Sequence, residues 1–233
     1  MITLQEERKY TQILVGVLAV LQITLLSSVY AISVINGYLA MPKIFISNAF
    51  RYDPPRAIAG FLLPQAAVII ALVMGRHLYR INTHIKSKRE RNVWLAAIIC
   101  VILLCYGFLG VAAVSLETLK ALHFASALTL FTSGTVLCIC LVLLDRLTLI
   151  ECPSWLRIVR ISLCITCVLI GVVLAVTSKW QPLVGSIAEM SISLVFIGYF
   201  FTLAHSSCFP MRSTRDGPTT PEQQGLISPT PQS

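Results

Sequence analysis

Charged residues are scarce in this chain of 233 residues: Asp, Glu, Lys and Arg together form 12% of it, against about 25% in ordinary soluble domains. Long polar stretches are missing too, and no segment between the apolar blocks is long enough to build a core of its own. The catalytic patterns GxSxG, HExxH and the P-loop do not occur. These gaps exclude a soluble enzyme, a DNA-binding domain and a bulky ectodomain, and we expect a protein that is not an enzyme.

Apolar residues, in contrast, make up 56% of the chain and are concentrated in six blocks of 18 to 24 residues. A helix needs about 20 such residues to cross a bilayer core of about 30 Å. We therefore predict an all-α, polytopic six-helix transmembrane bundle, preceded by an N-terminal segment at 1–11 and followed by a tail at 205–233. The predicted spans are 12–35, 57–74, 93–114, 121–144, 158–178 and 183–204.

The basic residues are divided unequally between the two sides that six crossings would create. One side carries 13 lysines and arginines and the other carries five, and an excess of these residues marks the cytoplasm. We therefore predict that both termini are cytosolic. The densest cluster, at 76–91, would bind the anionic lipids of the cytoplasmic leaflet, by simple attraction or by selective phosphoinositide binding. The net charge of +8 thus requires no nucleic-acid partner.

Two charged residues fall within the predicted spans. Arg160 lies two residues inside the cytosolic end of the fifth span, and we interpret it as an anchor whose side chain extends to the headgroups. Glu189 lies about 9 Å below the outer surface, where an acid usually faces the bundle interior and has a partner. The candidate partners are His123 and Lys120, which with Glu117 follow an i, i+3, i+6 spacing.

Three interpretations of this polar group stay open: a hydrogen-bond network that locks the bundle, a titratable switch facing an acidic lumen, and a permeation or proton path. A channel would line its pore with Gln22, Gln65 or Glu189 and would assemble as a homo-oligomer. The small residues Gly107, Gly110 and Ala113 of the third span predict a close contact with a neighbouring helix.

The cysteines indicate packing rather than chemistry. Six of the eight lie inside predicted spans, so we expect free thiols and no disulfide framework. Cys164 and Cys167 form a C-x-x-C pair without a second ligand pair, so we predict no metal site and no cofactor. Cys208, just after the sixth span, is a candidate for S-palmitoylation.

The tail at 205–233 is rich in Pro, Ser, Thr and Gln, a composition typical of disordered segments. Glu222, Leu226 and Ile227 within it resemble the acidic dileucine signals that clathrin adaptors bind on endolysosomal cargo. Such a flexible cytosolic strand would present one carboxylate and two adjacent apolar side chains to a groove on the adaptor.

Several short motifs, in this order and spacing, resemble the damage-regulated autophagy modulator (DRAM) family within the wider Frag/DRAM/Sfk group. The likeness extends over all six spans but departs at 114–116, where the family has Asn-Phe-Gln, and has one extra residue before Pro54. The motifs are Ile46-Ser47, Pro54-Pro55, Gly110…Glu117…His123-x-x-x-Ala127…Gly134, Cys152-Pro153-x-Trp155, Trp180-x-Pro182, Ser186-Ile-Ala-Glu189 and Gly198-Tyr199-Phe200-Phe201-Thr202.

This resemblance implies a divergent member: a non-enzymatic six-span protein of lysosomal or endosomal membranes that promotes autophagy. It gives His123 and Glu189 as matching positions without assigning them a role. The wider group leaves two alternatives open, namely lipid or GPI-anchor remodelling in the secretory pathway and a channel or channel regulator. The plasma membrane and the ER or Golgi are the corresponding alternative locations.

Overall fold

The computed structural model describes residues 4–39, 52–114, 119–148, 153–177 and 180–204. Over these residues the chain forms six α-helices and no strands, and each helix is long and apolar enough to cross a membrane. The predicted all-α polytopic fold is therefore confirmed. The helices are α1 (Leu4–Ile35), α2 (Pro55–Asn82), α3 (Lys88–Ala113), α4 (Lys120–Leu147), α5 (Ser154–Thr177) and α6 (Pro182–Ala204).

Several helices extend beyond the apolar blocks from which they were predicted. α1 begins at Leu4, and α2 continues eight residues past its predicted span to Asn82. Backbone hydrogen bonding does not stop where hydrophobic side chains do, so polar and basic residues complete the helical ends. Hydropathy alone thus places the membrane core better than it places the helix termini.

Local chemistry fixes two of the helix starts. Pro54 caps α2 and Pro55 occupies its first turn, where a proline loses no hydrogen bond because the amide would have no partner there. At the start of α3, the Glu90 amide donates to Ser87 Oγ and the Ser87 amide donates to the Glu90 carboxylate, each at 3.2 Å. This capping box ends the short α2–α3 connection and starts α3.

Neighbouring helices in sequence pack against one another, and α3 and α4 make the closest pair. A Cβ atom added at Gly107 would lie 2.7 Å from the Leu130 backbone, and one added at Gly110 would overlap the Ser126 side chain. The predicted close contact of the third span is therefore confirmed at both glycines, whereas Ala113 is exposed. Because the two glycines have no side chain, the backbones of α3 and α4 can approach each other closely.

The start of α1 and the end of α6 lie at the same end of the bundle, where the Gln12 side-chain amide lies 3.4 Å from the Ala204 carbonyl. We call this the basic end, since it also carries the α2–α3 connection with its lysines and arginines. We call the opposite end the outer end. Arg76 lies 5.7 Å above the Tyr10 ring, and Trp94 Nε1 donates to the Leu78 carbonyl at 2.8 Å, so α1, α2 and α3 are tied together here.

α6 is the helix that positions the site. It packs mainly on α5 and approaches α1 and α4 at fewer points. The interior between α6 and the first four helices is consequently not completely filled, and the cavity described below lies there.

Candidate functional site

A cavity lies between α6 and the helices α1 to α4, and it holds about 90 Å³ of space, several times what one water molecule needs. Along α4 its wall extends from His123 to Leu141, a distance of about 27 Å at 1.5 Å per residue. Most of that wall is formed by Leu, Ile, Phe and other apolar side chains. The lining of the cavity is therefore long and mainly apolar.

Four polar residues interrupt the apolar wall: Gln22 on α1, His123 on α4, and Glu189 and Ser193 on α6. Glu189 is 7% exposed and lies seven residues, or about 10 Å, from the first residue of α6. It interacts electrostatically with Tyr30 of α1. Because Ser193 donates to the Glu189 backbone carbonyl at 3.0 Å, its hydroxyl proton is already used within α6.

The His123 side chain is buried, with 2% of its surface exposed. Its Nδ1 lies 2.9 Å from the Val114 carbonyl oxygen at the end of α3. A carbonyl has no proton to donate, so Nδ1 must carry the hydrogen in this contact. Within the described residues Nε2 has no hydrogen-bond partner.

The structure thus brings two of the four predicted buried polar residues, His123 and Glu189, onto one cavity. Lys120 is exposed at the start of α4, with its Nζ 5.9 Å from the Phe124 ring, and does not line the cavity. Glu117 lies outside the described residues. Whether the pair that the structure joins acts as a lock, a switch or a path stays a prediction.

Of the other positions singled out in the sequence, some line the cavity and others do not. Gln22 lines the cavity and Gln65 does not, so only part of the proposed pore lining is assembled. The six cysteines within the described residues are free thiols, and Cys167 lies 3.3 Å from the Thr135 hydroxyl on α4. The tail residues Cys208, Glu222, Leu226 and Ile227 lie outside the described residues.

One site was missed by the sequence analysis, and it corrects the interpretation of Arg160. The Arg160 side chain is 1% exposed rather than extended to headgroups, and its Nη1 lies 2.5 Å from Asp145 Oδ2 on α4. Its Nε donates to the Thr202 hydroxyl at 3.1 Å and its Nη2 to the Thr202 carbonyl at 3.0 Å on α6. A buried guanidinium is retained because these acceptors replace water.

This ion pair joins α4, α5 and α6 near the basic end, away from the polar residues of the cavity. A signal for it was present in the sequence. Asp145 lies one residue beyond the fourth predicted span and Arg160 lies two residues inside the fifth, so opposite charges occur at one depth on consecutive helices. Two such charges in an apolar bundle favour pairing over separate exposure.

Searched over the described residues, the bundle contains no group of three His, Cys, Asp or Glu side chains that could hold a metal ion. Glu189 and His123 supply a carboxyl group and an imidazole nitrogen to a mainly apolar space.

Comparison with protein families gives one match. The model of the Frag1/DRAM/Sfk1/Cwh43P N-terminal domain matches residues 10–205, which include all the helices except the first turns of α1. The chain belongs to this family. The Frag1/DRAM assignment confirms the resemblance drawn from the sequence motifs, and both cavity residues His123 and Glu189 lie within the matched region. Comparison with curated proteins and with solved structures finds no significant match.

Proposed function

We propose that this multi-pass Frag1/DRAM membrane protein is a non-enzymatic regulator of autophagy and lysosomal function in endolysosomal membranes. The observation that carries the proposal is the family match over residues 10–205, together with the DRAM-like motifs at matching positions. The cavity supports a role in binding, since it presents the polar side chains of Glu189 and His123 within a mainly apolar lining.

The cytosolic partners follow from the sequence. The basic cluster at 76–91 would hold the protein against anionic lipids of the cytoplasmic leaflet. In this proposal, clathrin adaptors bind the tail through Glu222, Leu226 and Ile227 and deliver the protein to endolysosomes. Palmitoylation of Cys208 would hold the first part of the tail at the membrane surface.

Location and activity are tested together. Cells lacking the protein are complemented with the tagged full-length chain, imaged against lysosomal and endoplasmic-reticulum markers, and measured for autophagic flux. We expect overlap with the lysosomal marker and recovery of flux. Substituting both Leu226 and Ile227 with Ala should move the protein to the plasma membrane, because the adaptor loses both apolar contacts.

The matched control substitutes Ser228 and Thr230, which lie beside the motif but outside it, and should leave the location unchanged. Retention of the wild-type protein in the endoplasmic reticulum, with flux unaffected by its loss, would contradict the proposal. If the variant with both Leu226 and Ile227 changed to Ala stays in lysosomes and still restores flux, the proposed function is retained and only the sorting signal is rejected.

A second candidate, lipid or GPI-anchor remodelling in the secretory pathway, is favoured by one observation. The polar residues His123 and Glu189 lie in the half of the cavity toward the outer end, where a lipid of the outer leaflet would place its head. Lipid analysis of the same cells separates the two candidates. Remodelling predicts altered acyl chains on GPI-anchored proteins, whereas regulation of autophagy leaves them unchanged.

A further inference from the structure

We propose that the cavity is a binding site for a single-chain amphiphile of the outer leaflet whose head group donates hydrogen bonds. An amino or hydroxyl head at the level of Glu189 and His123 would continue into one hydrocarbon chain that extends toward the basic end. The inference goes beyond the regulatory function and does not depend on the compartment in which the protein acts.

The length of the lining suits a single chain. The lining residues of α4, from His123 to Leu141, extend over about 27 Å. One extended hydrocarbon chain matches the length of this mainly apolar lining. Five helices contribute to the wall, so a chain inside it would be surrounded by protein.

The polarity of the wall orients the ligand. The part toward the basic end is formed by apolar side chains such as Ile70, Leu137 and Leu141. The hydroxyl of Tyr199 in this region already donates to the Cys138 carbonyl at 3.3 Å. Among the residues that the structure describes, no charged side chain lines this part of the cavity, so a polar head belongs in the outer half, where Glu189 lies.

The polar residues select the head group. His123 Nε2 is buried without a hydrogen-bond partner among the described residues, while Nδ1 donates to the Val114 carbonyl. Glu189 adds a carboxylate to the same space, and the half-buried Gln22 adds an amide. A carboxylate accepts hydrogen bonds, so Glu189 favours a head group that donates them, and its negative charge favours an ammonium group and disfavours a fatty-acid carboxylate.

The test uses three photoactivatable, alkyne-tagged probes that share one saturated chain and carry an amine, an alcohol or a carboxylate head. The full-length protein is reconstituted in phosphatidylcholine vesicles, illuminated with each probe, and digested to locate the labelled peptides. We expect the amine or the alcohol probe to label peptides that line the cavity, with competition by the untagged amphiphile. The stronger of the two identifies the chemical source of the head.

Three variants connect the labelling to the cavity. Glu189→Gln keeps the shape and removes the charge, so labelling by the amine should fall about tenfold. His123→Asn keeps a donor for the Val114 carbonyl and removes Nε2, so labelling should fall about fivefold. Ala127→Leu fills the cavity, whereas the matched control Ala125→Leu adds the same atoms to the exposed face of α4 and should not change labelling.

Thermal unfolding of each variant shows that it is folded before labelling is compared. The proposal is overturned by equal labelling with the carboxylate and amine probes, which would indicate partition into lipid alone. It is also overturned if Ala127→Leu and Ala125→Leu, both folded, are labelled equally. Labelling of the cavity by the amine alone, or by the alcohol alone, supports it.

Discussion

Arg160 of α5 and Asp145 of α4 form an ion pair with an Nη1–Oδ2 distance of 2.5 Å, and their side chains are 1% and 5% exposed. The guanidinium also donates twice to Thr202 of α6. Because α6 otherwise packs mainly on α5, this network holds the second part of the bundle against α4. It therefore fixes one wall of the cavity at its apolar end.

We predict that Asp145→Asn strongly destabilises the protein, because it leaves the Arg160 charge buried without its counter-ion. Breaking a buried pair by removing one partner costs about 3–5 kcal/mol in free energy of unfolding. Thermal or denaturant unfolding in detergent, followed by helical circular dichroism, measures the loss.

The matched control is Arg146→Gln, since Arg146 is the exposed neighbour of Asp145 and its charge is not buried. It should change stability by less than about 0.5 kcal/mol. The double variant Asp145→Leu/Arg160→Met should recover much of the loss, because no unpaired charge remains. If the double variant is as unstable as the sum of both single variants, the pairing account is wrong.

The glycine contact between α3 and α4 gives a second prediction. In Gly107→Ala the new methyl group would lie 2.7 Å from the Leu130 backbone, so the helices must separate, at a cost of about 1–3 kcal/mol in unfolding free energy. In Gly75→Ala nothing lies within 4 Å of the added atom. That control should be neutral or stabilising, because alanine favours a helix over glycine by about 1 kcal/mol. Equal effects of the two substitutions would argue against the close approach.

The six helices could be predicted because each apolar block is long enough to be a membrane span by itself, a property of one segment alone. The Arg160–Asp145 pair is a property of two helices, and its recognition requires knowing that they lie side by side. Treated singly, Arg160 near a span end is indistinguishable from a snorkelling anchor, and that interpretation was wrong.

The cavity also combines features that one segment predicts with features that depend on two helices. An acid at position 189 indicates an interior-facing side chain, and the structure places it on the cavity wall. The orientation of His123 depends on the Val114 carbonyl, which becomes available where α3 ends. The apolar periodicity of α4 does not predict a contact with the end of another helix. The lack of a partner for His123 Nε2 within the described part of the chain could therefore be found only in the three-dimensional structure.

The orientation of the bundle stays a prediction from the distribution of basic residues. We expect tags at both termini to be accessible in cells whose plasma membrane alone is permeabilised, since both ends should face the cytosol. A tag inserted at 43–47, between the first two predicted spans, should be accessible only after full permeabilisation, because this segment should face away from the cytosol. Opposite accessibility of the two terminal tags would contradict the six-span topology. If only the loop tag is accessible when the plasma membrane alone is permeabilised, the bundle has the opposite orientation.

The seam between α4 and α6 provides the last prediction. A Cβ atom added at Gly134 would lie 2.6 Å from Cζ of Phe196, and both residues line the cavity. Gly134→Ala should therefore displace the ring, destabilise the protein by about 1–3 kcal/mol, and reduce labelling by the amine probe. Adding Phe196→Leu shortens the opposing side chain, so the double variant should unfold at a higher temperature than Gly134→Ala alone. Because the two substitutions remove one steric conflict, their effects should not add; strictly additive losses would mean that the ring does not rest on this glycine.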